Sequence, residues 1–179
     1  MLEIQDCCVV VVDVQGKLAQ LMVDKEVLFK NIQILIHAAC ILEIPILWCQ
    51  QVPEALGPTV PEIAALLVGA EPIDKASFSC CGQEQFNAQL NTLGKEQVLL
   101  CGIETHVCIY QTAMDLMEGG LDVTILADAV SSRTDQNRQI ALTRLAAEGA
   151  HISSTEMALF ELLKTAKHPH FKEIARLVK

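Results

Sequence analysis

No two cysteines in this sequence are spaced as C-x-x-C, although the chain holds eight of them. That removes the zinc-ribbon and thioredoxin-type readings. Cys7-Cys8 and Cys80-Cys81 are too close in sequence for ordinary structural bridges. Cys7, Cys8, Cys49 and Cys101 sit in or beside apolar runs, as reduced, buried thiols do. Basic charge is also scarce: 13 Lys and Arg against 22 Asp and Glu give a net charge of -9, a poor starting point for binding nucleic acid or an anionic membrane. The longest apolar stretch, Ile32 to Cys49, is interrupted by Gln33, His37, Glu43 and Pro45 and does not suit a bilayer span. No basic start leads into an apolar segment, so the expectation is a protein without a signal peptide, in the cytoplasm. A GxGxxG fingerprint after the first strand and a P-loop are both missing, and no internal repeat or charge block divides the chain.

What is present is a strand–helix alternation. Cys7–Val12 (CCVVVV) is a continuous apolar run, as in a strand covered on both faces. Asp24 is placed to cap a helix in which Leu28, Ile32, Leu35, Ala39 and Leu42 keep a 3.6-residue period, and Pro45 stops it. Ile46–Cys49 reads as the second strand, and Gln50 to Pro61, with three prolines and a glycine, as a loop. A short helix over 62–68 and a short third strand near Pro72–Asp74 follow, the strand leading into Lys75. Phe86, Leu90 and Leu93 mark another helix, which Gly94 closes. Gln97–Cys101 is the fourth strand, followed by a turn at Gly102 and a helix from Thr105 or His106, with Val107, Tyr110, Met114 and Met117 on one face. Val123–Leu126 reads as the fifth strand, 127–133 as a small-residue turn, 135–148 as a helix and Ala150–Ile152 as the sixth strand. Ser153-Ser154-Thr155-Glu156 carries a capping-box pattern. The C-terminal apolar residues Phe160, Leu163, Phe171, Ile174 and Leu177 either close the core or join an interface. The fold class expected is α/β: one domain over 1–179, three layers α/β/α, with a doubly wound, mostly parallel six-stranded sheet in the order 3-2-1-4-5-6.

Three chemically capable residues fall at carboxyl ends of central strands, where open α/β sheets bind ligands: Asp13 after the first, Lys75 after the third and Cys108 after the fourth. A carboxylate within reach of a thiol can take its proton, a nearby ammonium and a helix N-terminus favour thiolate, and the set suits acyl transfer through a thioester. Each residue also has a plainer reading. Asp13 can be a turn former, Lys75 a solvated surface group, and Cys108, flanked by Val107 and Ile109, a core residue. His106 adjoins Cys108 in sequence, but adjacent helical residues point in different directions.

With these residues in place, the sequence resembles the isochorismatase-like cysteine hydrolases. Val11-Val12-Asp13-Val14-Gln15, Asp74-Lys75-Ala76-Ser77-Phe78, Gly102-Ile103-Glu104-Thr105-His106-Val107-Cys108 and Ala127-Asp128-Ala129-Val130-Ser131-Ser132-Arg133 carry the resemblance, in order, over nearly the whole chain. It implies Asp13 as general base, Lys75 as electrostatic partner and Cys108 as nucleophile. It also implies a non-proline cis peptide between Ile103 and Glu104, with the backbone N–H groups of Glu104 and Cys108 forming an oxyanion hole. The nicotinamidase branch of the family carries a metal site of Asp and His just after the second strand. Here Trp48-Cys49-Gln50-Gln51-Val52-Pro53-Glu54 has no histidine. The resemblance is therefore to the metal-free isochorismatase-domain subgroup, with no metal and no cofactor expected. Gln15, Gln50, Phe78 and Ile103 are the candidate pocket walls. The expected activity is hydrolysis of a small amide or related C–N bond on a small-molecule substrate by a homo-oligomer, a dimer or larger, that binds neither nucleic acid nor membrane. Vinyl-ether hydrolysis of the isochorismate type, or a silent scaffold with the same fold, are the alternatives.

Overall fold

The computed structural model describes residues 1–179. Six strands form one sheet in the order β3-β2-β1-β4-β5-β6, and every pairing is parallel. The strands are β1 (Cys7–Val12), β2 (Ile46–Gln51), β3 (Ile73–Lys75), β4 (Gln97–Ile103), β5 (Asp122–Ser131) and β6 (His151–Ser153). Helices α1 (Gly16–Gln20), α2 (Lys25–Ile41), α3 (Pro53–Leu56), α4 (Pro61–Ala64), α5 (Glu84–Leu93), α6 (Tyr110–Glu118), α7 (Asp135–Ala147), α8 (Thr155–Leu163) and α9 (Phe171–Leu177) complete the chain.

β1 is buried at all six positions, and its residues alternate between two apolar cores. Cys7, Val9 and Val11 face the layer of α2, α8 and α9; Cys8, Val10 and Val12 face that of α5, α6 and α7. The same double coverage makes β4 a run of buried residues. α2 follows the expected apolar period, but Asp24 adopts a left-handed backbone (φ 50°) and its side chain caps nothing. Burial of Leu28, Ile32, Ile34, Leu35 and Ile36, at about 1.5–3 kcal/mol each, far exceeds the ~1 kcal/mol of a missing cap.

Three segments differ from expectation. The proline-rich stretch read as a loop contains α3, and α4 is shorter than the helix expected there. Pro53 and Pro61 sit in the first turn of each, where a missing N–H costs no hydrogen bond. β5 runs through Ser131, absorbing most of the expected turn. Its register against β4 jumps from Leu100↔Ile125 to Gly102↔Val130, so residues between them bulge while pairing resumes. At the start of α8, Ser154 accepts from the N–H of Met157, so the capping box is only half present. In the C-terminal region, Leu163 and Ile174 are buried while Phe171 and Leu177 pack on the same core. Phe160 meets Phe171 edge-on at 6.2 Å. No helix is long and apolar enough to cross a membrane.

Candidate active site

Val12 of β1 pairs with Gly102 of β4, so both chains leave the sheet side by side. That closeness requires a glycine: Gly102 has φ +120°, and a Cβ there would lie 2.1 Å from the Val12 carbonyl oxygen. One residue further on, Asp13 turns out of the sheet with φ 54° and donates its N–H to the Cys49 carbonyl at 3.1 Å. On the β4 side, the Ile103–Glu104 peptide is cis, and Thr105–Ile109 winds a π-helical turn that leads into α6 and carries Cys108.

Lys75 enters from the end of β3. Its Nζ donates to Asp13 Oδ2 at 2.7 Å, Gln51 Oε1 at 2.7 Å, the Phe78 carbonyl at 3.0 Å and the Ser77 carbonyl at 3.2 Å. Its side chain is fully buried, which overturns the surface reading of this lysine. Four acceptors converge where a lone lysine after a strand would otherwise be solvated. The other Asp13 oxygen, Oδ1, is buried without a hydrogen-bond partner. The Cys108 thiol neighbours this carboxylate closely enough for each to act on the other's proton affinity, although Oδ1 has no fully formed hydrogen bond. Such bonds often tighten only when substrate is bound.

The three groups shift one another's proton affinities. Burial raises the Asp13 pKa above the usual carboxylate range, and Lys75 only partly offsets it. Burial alone would lower the Lys75 ammonium, but the Asp13 carboxylate, with Cys80 and Cys108 beyond it, holds it above its ordinary value. Burial, then the Asp13 carboxylate, push the Cys108 thiol well up, and the opposing pull of Lys75 is smaller. Helix placement and the lysine therefore do not produce a resting thiolate. The thiol keeps its proton and faces a carboxylate with raised proton affinity.

A cavity of about 110 Å3 opens over this group, lined by Asp13, Leu18, Gln51, Leu56, Phe78, Ile103, Glu104, Val107 and Cys108. Asp13 and Cys108 are thus brought together, Phe78 and Ile103 are walls, and Lys75 lies beneath. Gln15 and Gln50 are not walls. Gln15 Oε1 accepts from the Gln51 N–H at 2.6 Å and its Nε2 donates to the Gly57 carbonyl at 2.8 Å, which ties the loop after β2 to β1. Gln50 Oε1 accepts from the Thr59 N–H at 3.2 Å. The wall residue from β2 is Gln51, which is paired in register with Lys75. Gln50, one residue earlier in the strand, takes the opposite face and serves the Thr59 loop. Leu18, Leu56 and Val107 carry no local signal for a site; the apolar positions of α1 and α3 announce only burial. His106 turns away, its Nδ1 3.0 Å from Ser132 Oγ. At the rim, Glu104 accepts from Arg133 Nε at 3.0 Å and from the Arg133 N–H at 3.0 Å. Larger clefts of about 300 Å3 beside Val27 and Arg138 and 210 Å3 beside Met1 and His151 contain no thiol; one of about 290 Å3 is lined by Cys81, Lys95 and Asp115, away from the strand ends that hold Asp13 and Lys75.

The sequence profile described as isochorismatase domain matches residues 7–157. The chain belongs to the isochorismatase family. Isochorismatase domain-containing protein 2 of Danio rerio is 47% identical over 145 residues, covering 80% of this chain and 72% of that protein. The secreted isochorismatase effector Isc1 of Phytophthora sojae is 42% identical over 149 residues, covering 81% and 71%. Among solved structures, the MAR1 ribonuclease of Caenorhabditis elegans superposes with a TM-score of 0.93 at 35% identity, over 99% of this chain and 91% of that one. The six-stranded parallel architecture is that of these isochorismatase-like relatives.

Proposed function

We propose that this isochorismatase-family chain is a cysteine hydrolase that cleaves a small amide through an acyl-enzyme on Cys108. The observation carrying this reading is the unpartnered Asp13 oxygen beside the buried Cys108 thiol, with Lys75 fixing the opposite oxygen of the same carboxylate. In the first half-reaction, Cys108 Sγ attacks the amide carbon as Asp13 accepts the thiol proton. The backbone N–H groups of Glu104 and Cys108 stabilise the resulting oxyanion. The C–N bond breaks, and Asp13 returns the proton to the departing amine. Water, deprotonated by Asp13, then attacks the thioester, releasing the carboxylic acid and restoring the thiol. Lys75 keeps its charge throughout and steadies Asp13 in place. No step draws on a metal or cofactor.

A ribonuclease reading, the activity named for the Caenorhabditis elegans relative, needs a basic surface and room for a nucleotide; a net charge of -9 and a 110 Å3 apolar cavity support the small-amide reading instead. The exposed apolar residues Ile152, Met157 and Phe160, on and beside the edge strand β6, suit a contact between copies in a homo-oligomer. The test of the hydrolase reading is intact-mass analysis during incubation with a panel of small amides. Wild type should form an acyl adduct, and Cys108→Ala should form none and reduce turnover to background while remaining folded. Turnover retained in Cys108→Ala would refute the mechanism.

A further inference from the structure

The cavity over Cys108 has no charge to offer an anion. Its walls Leu18, Leu56, Phe78, Ile103 and Val107 are apolar. Its polar members are Asp13 and Glu104, both carboxylates, and Gln51, whose amide is committed at both ends. Gln51 Oε1 accepts from Lys75 at 2.7 Å and its Nε2 donates to the Ala76 carbonyl at 2.8 Å. Neither nearby cation lines the cavity. Lys75 Nζ meets four acceptors and is sealed from the cavity, and Arg133 is not a wall and is held through Nε by Glu104. The volume, about 110 Å3, is far below the roughly 300–1,000 Å3 of ordinary ligand pockets.

We propose that the site takes uncharged amides with short apolar acyl groups and rejects acyl groups that carry a carboxylate. This rests on the Cys108 acyl-enzyme reading above and narrows it to a substrate class. A carboxylate entering the cavity would lose its water, find no cation or free donor side chain, and lie against the Asp13 carboxylate. Isochorismate carries two carboxylates, so the same property sets vinyl-ether hydrolysis of that substrate aside for this chain. It also serves release: hydrolysis turns a neutral amide into an acid that ionises, and the cavity that admitted the substrate repels the product.

Iodoacetamide and iodoacetate differ by the neutral amide and the anionic carboxylate, and both label a thiol by the same displacement. The Cys108 Sγ–C bond forms, the C–I bond breaks, iodide leaves, and the thiol proton passes to Asp13. Peptide mapping by mass spectrometry reads the labelling rate at Cys108, and the exposed Cys40 of the same molecule supplies the intrinsic reactivity ratio of the two reagents. The preference for iodoacetamide should be about 100-fold greater at Cys108 than at Cys40. Equal preferences at the two cysteines would overturn the proposal, as would failure of iodoacetamide to reach Cys108 while it labels Cys40. Leu56→Lys and, separately, Leu18→Lys place an ammonium in the wall and should raise iodoacetate labelling of Cys108 about tenfold in folded protein. No gain in either variant would also overturn it. Labelling needs no hydrolysis, so absent amide turnover counts against the hydrolase reading alone.

Discussion

Two ion pairs border the crevice over Cys108, and their settings differ. On the floor, the Lys75 and Asp13 side chains are 0% and 2% exposed and 2.7 Å apart. At the rim, Arg133 is 57% exposed and Glu104 8%, at 3.0 Å. A half-exposed pair contributes little, typically 0.2–1 kcal/mol. A fully buried pair is not a large net gain either, because desolvating two charges offsets most of their attraction, and an apolar replacement is often neutral or better. The floor pair is therefore poorly explained as a device for stability. It is well explained as a way to hold a carboxylate, with one oxygen pinned and one free, beside a thiol. The rim pair fixes the Glu104 side chain and joins the loop after β5 to the end of β4. Breaking the floor pair should cost both activity and stability, and breaking the rim pair little of either.

The largest effect is expected from Lys75→Met, which keeps the length of the side chain and removes the charge. Asp13 is left buried without its cation, at a cost of about 3–5 kcal/mol in unfolding free energy. Turnover should fall about 100- to 1,000-fold at a temperature where circular dichroism shows the variant still folded. Loss of stability with turnover kept would make the floor pair structural. The burial of Lys75 means that both losses should appear together.

The second expectation concerns alkaline pH. Burial and Asp13 raise the Cys108 thiol, while burial raises Cys7 to about 11 and Cys8 to about 12, against an ordinary value near 9. Lys75 is raised as well, through Asp13. Above about pH 9 the unfolded chain releases thiol protons that the folded chain keeps. Stability supplied by these groups is complete below the ordinary thiol value and is lost as pH rises towards the folded values. Each such thiol contributes a slope of about -1.4 kcal/mol per pH unit. Urea unfolding between about pH 9 and 10.5 should show stability falling, and Cys108→Ala should reduce that fall by about 2 kcal/mol. An unchanged slope in the variant would mean that the floor does not hold a protonated thiol. In the wild type, the acid limb of kcat/KM should lie above the usual carboxylate range, since Asp13 must be ionised to accept the proton.

The floor was legible in the sequence to a different degree from the rim. Cys7–Val12 and Gln97–Cys101 read directly as buried strands because doubly covered strands lack polar alternation, and the residues following such strands are where chemistry collects. Asp13, Lys75 and Cys108 could be singled out on that ground. What stayed hidden depends on neighbours distant in sequence. Lys75 was not recognisable as buried, because its acceptors come from Asp13, Gln51, Ser77 and Phe78. Gln50 and Gln51 are the same residue type one position apart, and only pairing with β3 decides which faces the cavity. The extension of β5 to Ser131 depends on a bulge that restores pairing with β4, while the small residues there favour a turn when read locally. The proton affinity of Cys108 is hidden for a related reason: a helix start and a nearby lysine are visible in sequence, whereas the burial that outweighs them is not.

The smallest effect is expected at the rim, and it is the one that gives the contrast its meaning. Arg133→Ala removes the guanidinium but leaves the backbone N–H of residue 133, which donates to Glu104 Oε2 at 3.0 Å. The Glu104 carboxylate therefore keeps a donor, and no buried charge is stranded as it is on the floor. Stability should fall by less than about 1 kcal/mol, and kcat/KM should stay within about threefold of wild type. Salt provides the matching control. Raising ionic strength to about 1 M, where screening acts within about 3 Å, should abolish whatever stability difference separates Arg133→Ala from wild type, because the guanidinium faces solvent. The same salt should leave the deficit of Lys75→Met nearly unchanged, because ions do not reach a pair sealed beneath the cavity. If Arg133→Ala instead costs as much turnover as Lys75→Met, Glu104 must be held by its side-chain partner for the end of β4 to work, and the rim would join the catalytic floor.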